Sequence, residues 1–365
     1  MIAQGSSLIL WLVLGQVQLA PTPTQAPSLA DLKTPREVKS AFLKMLDRPK
    51  VAPDVQINSI EANPSVGLVA ERLTFASEMK GDGKVERVPV LLVRPAASGV
   101  RRPAVIALHG TGGNKDGMDQ WLTDLAKRGI IGVAIDARYH GDRSKGAKGS
   151  AAYVDAITRA WESKPGEAME HPFYYDTCWD LWRTIDYLQS RPDIDPKRIG
   201  MFGSSMGGIE TWLAGAVDER VAVAVPAIGV QSFKWSMENN AWQGRANTIK
   251  AAHEAAAKDL KAERVNARVC LALWNKVIPG ILGPFDCPSM IRLFAGRPLL
   301  ILNGEKDLNC PLGGAKVAFK AAEDAFKDAG ATDRLKIMVA QGVGHAISEE
   351  QRQATLDWFT QWLKP

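Results

Sequence analysis

The chain is poor in the features that mark several functional classes. It has four cysteines, Cys178, Cys270, Cys287 and Cys310, and no pair of them stands in a C-x-x-C spacing. That argues against a zinc ribbon or a thioredoxin-type redox centre. There is no excess of one charge: 45 Lys and Arg stand against 40 Asp and Glu, a net +5 over 365 residues. Spread along the chain, that balance gives no basic stripe and no reason to expect a nucleic-acid partner. No apolar run reaches the roughly 20 residues that span a bilayer, so no stable membrane span is expected. No internal repeat is visible, and the one low-complexity tract is a short Pro/Thr stretch, Pro21 to Thr24. At 46% hydrophobic and 23% charged the composition is that of a globular protein with ample length for a core. The length fits about two domains, or one α/β domain carrying insertions.

Residues 1–26 read as an export signal. Leu8 to Leu14 is a short apolar run, followed by small residues and prolines up to Ala26, although no Lys or Arg precedes it. Export would permit disulfides; four cysteines allow three full pairings, and buried free thiols are the alternative. Residues 27–64 read as a linker with a short helix, on which Leu32, Val38, Phe42, Leu43 and Leu46 recur at helical spacing. Residues 65–365 are then one catalytic-sized domain. Two strand-like stretches, Glu71–Ser77 and Val85–Arg94, flank Gly81-Asp82-Gly83, a hairpin signal.

From Arg102 the pattern is an alternation of short apolar runs with helical segments. Strands are expected over 103–108, 130–135, 198–202, 221–226, 298–302 and 335–339. Helices are expected over 117–128, 178–190, 206–216, 315–329 and 349–363. Such alternation implies a mostly parallel sheet with helices on both faces. Two stretches break it. One is Lys145–Pro172; the other is a longer insertion over 231–295, rich in Ala, Lys and Trp, which reads as a helical cap before the strand at 298.

The chemistry concentrates at Gly203-Ser204-Ser205-Met206-Gly207-Gly208. This fits G-x-S-x-G between a strand and a helix, where glycines let backbones pass closely and the serine is presented above the sheet. Ser204 cannot take the role, because its frame needs glycine at Phe202. A serine hydroxyl needs a base. Of five histidines, His345 lies in a glycine-rich loop between the last strand and last helix, where the base belongs in the order Ser, Asp, His. Asp307 follows the strand at 298–302 and would orient the imidazole, with Glu305 and Asp286 as rivals. The N–H groups of Met206 and of Thr111, in His109-Gly110-Thr111-Gly112, are the expected oxyanion donors. His109 reads as a support of that loop. The polar stretch Asp136 to Ser144 reads as a brace for it. Trp179 and Trp182 read as core; Tyr174, Tyr175, Trp235 and Trp242 are candidate pocket walls.

These motifs, with Asp136-Ala137-Arg138-Tyr139-His140-Gly141 and Asn303-Gly304-Glu305-Lys306-Asp307, resemble the α/β-hydrolase superfamily. Within it they resemble the dienelactone hydrolase-like and acetyl xylan esterase-like branch, over residues 65–365. The resemblance implies hydrolysis of carboxylic esters through an acyl-enzyme, with no metal or organic cofactor. It implies short acyl groups and small-molecule or saccharide ester substrates. Dienelactone hydrolases carry a cysteine nucleophile where this chain has Ser205, which points to ordinary esters. A serine peptidase or amidase on the same triad, and a non-catalytic binding protein on this fold, remain as rival readings.

Overall fold

The computed structural model describes residues 34–365 apart from Ser98 and Ala168. The segment read as an export signal lies outside the described residues, as does Leu32 of the expected first helix. That helix, α1 (Pro35–Met45), is opened by a Thr34 capping box with Glu37 and buries Val38 and Phe42.

Nine strands form one sheet in the order β1-β2-β3-β5-β4-β6-β7-β8-β9. β1 (Gln56–Asn63), β2 (Leu68–Met79) and β3 (Val85–Pro95) run antiparallel, and β3 pairs antiparallel with β5 (Ile131–Ile135). The rest is parallel: β4 (Arg102–Leu108), β6 (Ile194–Ser204), β7 (Val221–Ala227), β8 (Leu299–Gly304) and β9 (Leu335–Ala340). β4, β5 and β8 are buried almost throughout. That burial explains their unbroken apolar sequence, since both faces of a covered parallel sheet face protein.

Helices α2 (Asp119–Lys127) and α12 (Glu349–Leu363) cover one face through Leu122, Leu125, Leu356 and Phe359. The other face carries α1, α4 (Tyr175–Ser190), α5 (Met206–Val217), α10 (Cys287–Ile291) and α11 (Leu312–Asp328) over the larger core. Strand order reverses at β4, so the carboxyl ends of β4 and β6 flank the crevice where ligands sit in open sheets of this kind.

Two elements differ from expectation. β1 was not legible: Gln56–Asn63 is an edge strand, exposed along nearly all its length and bulged between Ile57 and Ser59, so it shows no apolar alternation. The excursion at 145–172 contains α3 (Ala151–Glu162), which buries Tyr153, Ala156, Ile157 and Ala160 at helical spacing. The 231–295 stretch folds into α6 (Phe233–Glu238), α7 (Gln243–Asn247), α8 (Lys250–Asp259), α9 (Ala267–Val277) and α10. α8 and α9 pack on α3, α6 on α11, and α10 on α5 and α11. All four cysteines are buried free thiols, so none of the three disulfide pairings forms. No helix among the described residues is long and apolar enough to cross a membrane.

Candidate active site

Ser205 occupies the turn between β6 and α5 with φ 56° and ψ −110°. A non-glycine residue in that region costs on the order of 1–3 kcal/mol and persists only where its surroundings hold it. Here its N–H donates to the Ala227 carbonyl at 2.9 Å, and Gly207, the second residue of α5, donates to the His109 carbonyl at 3.2 Å. The flanking glycines are required by space. A Cβ at Gly203 would collide with the Gly207 carbonyl, and one at Gly207 would stand 2.6 Å from Leu108 Cβ. The serine is therefore wedged between the ends of β4 and β7.

His345 Nε2 lies 2.8 Å from Ser205 Oγ, and His345 Nδ1 lies 2.8 Å from Asp307 Oδ2. The other carboxylate oxygen accepts the N–H groups of Asn309 at 2.8 Å and Cys310 at 2.9 Å, which fixes the rotation of the carboxylate. The loops that bring Asp307 and His345 together are joined. Lys306 N–H donates to the Val343 carbonyl at 2.8 Å, and Gly342 N–H donates to Glu305 Oε2 at 2.7 Å. Glu305 thus shapes the turn. Asp286 is buried elsewhere, accepting from Ser232 Oγ and from the N–H groups of Phe233, Lys234 and Cys287. Burial pushes it up to about 6 against those donors. Burial is graded across the three groups: the Asp307 side chain is inaccessible, His345 is 26% exposed and Ser205 is part-exposed. Solvent reaches the serine end of the chain and not the carboxylate end.

The loop after β4 lies against the serine; a Cβ on Gly110 would be 3.4 Å from Ser205 Cβ. His109 holds this loop. Its Nε2 accepts the Ala137 N–H at 3.2 Å, so its Nδ1 carries the proton and donates to the Gly110 carbonyl at 2.9 Å. Burial pushes His109 down to about 4, which keeps it neutral in that tautomer. Asp136 is buried beneath, accepting from the backbone N–H groups of Lys115 at 2.8 Å and Asp142 at 2.9 Å. Arg138 is tied to Asp180 and Glu78 at 2.7–2.8 Å. The polar stretch after β5 therefore braces the loop.

The four candidate pocket walls fare differently. Tyr175 belongs to the core: its hydroxyl donates to the Pro279 carbonyl at 3.0 Å and its ring meets Phe42 edge-on. Trp242 is also core, its Nε1 donating to Asn240 at 3.1 Å. Both are amphipathic rings whose polar ends have found hydrogen-bond partners, as buried Tyr and Trp usually do. Tyr174 is buried, at φ 72°, stacked on Phe173 with centroids 4.0 Å apart. Trp235 is part-exposed and wedges onto Gly313 and Gly314 at the start of α11. Trp179 and Trp182 are core, donating to the Ser77 and Ala214 carbonyls.

Asp307, Cys310 and His345 place potential metal-ligand atoms within 4.8 Å of one another. Each is already engaged: the imidazole and carboxylate with one another, and the thiol with the Ile228 carbonyl at 3.2 Å. The Arg245 guanidinium also stands 3.2 Å from the sulfur, a charge that opposes a cation. The cluster is built for hydrogen bonding.

The switch-point elbow and the chain order Ser205, Asp307, His345 are those of the α/β-hydrolases. Solved structures of that fold superpose over most of the chain. An acetyl xylan esterase from Thermoanaerobacterium sp. JW/SL YS485 gives a TM-score of 0.62 at 16% identity, covering 90% of this chain and 93% of the other. A glucuronoyl esterase from Solibacter usitatus gives 0.60 at 16% identity, covering 89% and 92%. In sequence, the protein YtaP of Bacillus subtilis is 25% identical over 291 residues, 76% of this chain and 84% of the other. The acetyl xylan esterase (AXE1) family profile matches residues 45–236, and a fungal glucuronyl esterase profile matches 168–330. The chain belongs to the acetyl xylan esterase family and is a carboxylic ester hydrolase.

Two residues beside the site were not singled out by sequence reasoning. Arg245 was one cation among many in the insertion. Cys310 was counted only as a thiol. Neither carries a motif, and only the tertiary arrangement brings them to Asp307.

Proposed function

We propose that the protein hydrolyses short-chain acyl esters, acetyl above all, carried on saccharides, with Ser205 as nucleophile, His345 as general base and Asp307 as the group that orients it. The observation that carries this is the unbroken hydrogen-bond chain from Ser205 Oγ through His345 to Asp307. His345 Nε2 takes the hydroxyl proton as Ser205 Oγ bonds to the ester carbonyl carbon. The oxyanion is held by the N–H groups of Met206, at the first turn of α5, and Thr111. The first N–H groups of a helix have no intrahelical partner, which suits Met206 to the task. His345 then gives its proton to the alcohol oxygen as the ester C–O bond breaks. Water, deprotonated by the same imidazole, releases the acid and restores Ser205.

A second reading is favoured by the glucuronyl esterase match over 168–330, which covers the insertion and Asp307. There the sugar would be on the acyl side, as a uronic acid ester. Rates on p-nitrophenyl acetate, butyrate and octanoate, on acetylated xylan and on a methyl glucuronate, each beside Ser205→Ala, test both readings. Acetate preference that is lost in Ser205→Ala supports the first reading. Turnover confined to the glucuronate supports the second, and equal rates in the two proteins remove Ser205 as nucleophile. Export through residues 1–26 is part of the proposal; detection of the protein only in the cytoplasmic fraction would remove it.

A further inference from the structure

The turn that carries Asp307 is suspended between two neighbours. On one side is α7 of the insertion. Arg245 Nη2 donates to the Asn309 carbonyl at 3.1 Å and to Cys310 Sγ at 3.2 Å. The helix is pressed against the turn, for a Cβ at Gly244 would collide with the Leu308 carbonyl. On the other side is the end of β7. The Cys310 thiol donates to the Ile228 carbonyl at 3.2 Å. Ile228 sits at φ 44° and follows Ala227, whose carbonyl accepts the Ser205 N–H.

A continuous path therefore runs from the insertion through Arg245, Cys310 and Ile228 to the residue that holds the nucleophile turn. Cys310 can serve in the middle because it is a neutral thiol that accepts and donates at once. Burial, first, and the nearby Asp307 charge push it up to about 12 against the pull of Arg245.

Arg245 is buried, with no carboxylate at ion-pair distance among the described residues. An isolated buried guanidinium is costly unless some negative charge compensates it. Burial works against its charge, and of the groups facing it Tyr174 and Cys310 are neutral, so the opposing field is that of Asp307. Asp307 is the carboxylate among them, and its own oxygens are committed to His345 and to two backbone N–H groups.

We propose that Arg245 and Cys310 are positioning residues of the ester hydrolase, setting the separation of the acid turn from the nucleophile turn, with Arg245 the buried counter-charge of Asp307. This rests on the triad reading above. The test compares Cys310→Ala, Cys310→Ser, Arg245→Met and Arg245→Lys with wild type and Ser205→Ala. It measures kcat and KM on p-nitrophenyl acetate together with thermal midpoints. Cys310→Ala and Arg245→Met are expected to lower kcat by about tenfold or more, the loss of one or two hydrogen bonds, with KM within about twofold. Serine keeps the donor and acceptor, so Cys310→Ser is expected to recover most of kcat, and Arg245→Lys part of it. Wild-type kcat in folded Cys310→Ala and Arg245→Met, with Ser205→Ala inactive, overturns this inference alone. Should either fail to fold, Cys310→Ser and Arg245→Lys decide: kcat no better than about a tenth of wild type in both overturns it. Activity retained by Ser205→Ala overturns the triad reading instead.

Discussion

Replacing Asp307 by asparagine tests the site at its most committed atom. Oδ1 of Asp307 accepts two backbone N–H groups, so an asparagine must keep its carbonyl oxygen there and turn its amide towards His345. The amide then presents N–H to His345 Nδ1, which in the native protein lies 2.8 Å from an acceptor. Nδ1 is forced to accept, and the proton moves to Nε2. That nitrogen faces Ser205 Oγ at 2.8 Å and would now donate to the hydroxyl it should deprotonate. A tautomer fault of this kind costs on the order of 10⁴ in kcat, or about 5 kcal/mol of transition-state stabilisation. The same substitution leaves both turn hydrogen bonds in place, so the melting temperature should fall little. Asp307→Ala differs: it also removes those two bonds, each about 1 kcal/mol, and should melt lower as well as lose activity. The assay is kcat on p-nitrophenyl acetate beside thermal melts of the three proteins. A well-folded Asp307→Asn enzyme with more than about a tenth of wild-type kcat would refute the assigned role of Asp307.

Gly207→Ala should lower kcat by about 100-fold or more, because its Cβ must displace Leu108 and the nucleophile turn with it; kinetics with circular dichroism as a fold control would show this. Arg138→Met should destabilise by about 2–3 kcal/mol in urea unfolding, because it takes one of two guanidinium partners from each of Asp180 and Glu78, which keep Arg143 and Arg48. Burial pushes His109 and His140 down to about 4 from an ordinary 6.5. Each then contributes stability that is fully present above pH 6.5 and lost as pH falls towards 4, on the order of 3 kcal/mol. Asp286, raised by burial to about 6 from 3.8, works the other way: its contribution is present below 3.8 and lost as pH rises through 6. Urea midpoints measured from pH 4 to 7 should fall on the acid side, and more shallowly in His140→Phe; an identical slope would remove His140 from the account.

The parts of the fold legible in the sequence are those where one physical constraint acts alone. β4, β5 and β8 are covered on both faces, so their sequences are unbroken apolar runs. Ser205, Asp307 and His345 each follow a strand end, and strand ends were readable. β1 was missed because an exposed edge strand needs backbone partners and no apolar face. α3 carries a readable stripe, Tyr153, Ala156, Ile157 and Ala160, but it sits in an excursion whose length suggested a loop. The pocket walls were least legible. An aromatic side chain looks the same in sequence whether its ring faces a cleft or Phe42, and Tyr175 faces Phe42.

The insertion shows the same limit at a larger scale. Composition and length mark it as helical and suggest a cap, and a cap invites the idea of a hinged lid. Its contacts argue against free swinging. α8 and α9 pack on α3, α10 packs on α5, and α7 grips the acid turn through Gly244 and Arg245. Lifting α7 would break the bonds to Asn309 and Cys310, whose N–H groups fix the Asp307 carboxylate. A motion that lifted α7 would therefore disturb the turn that holds the Asp307 carboxylate against His345.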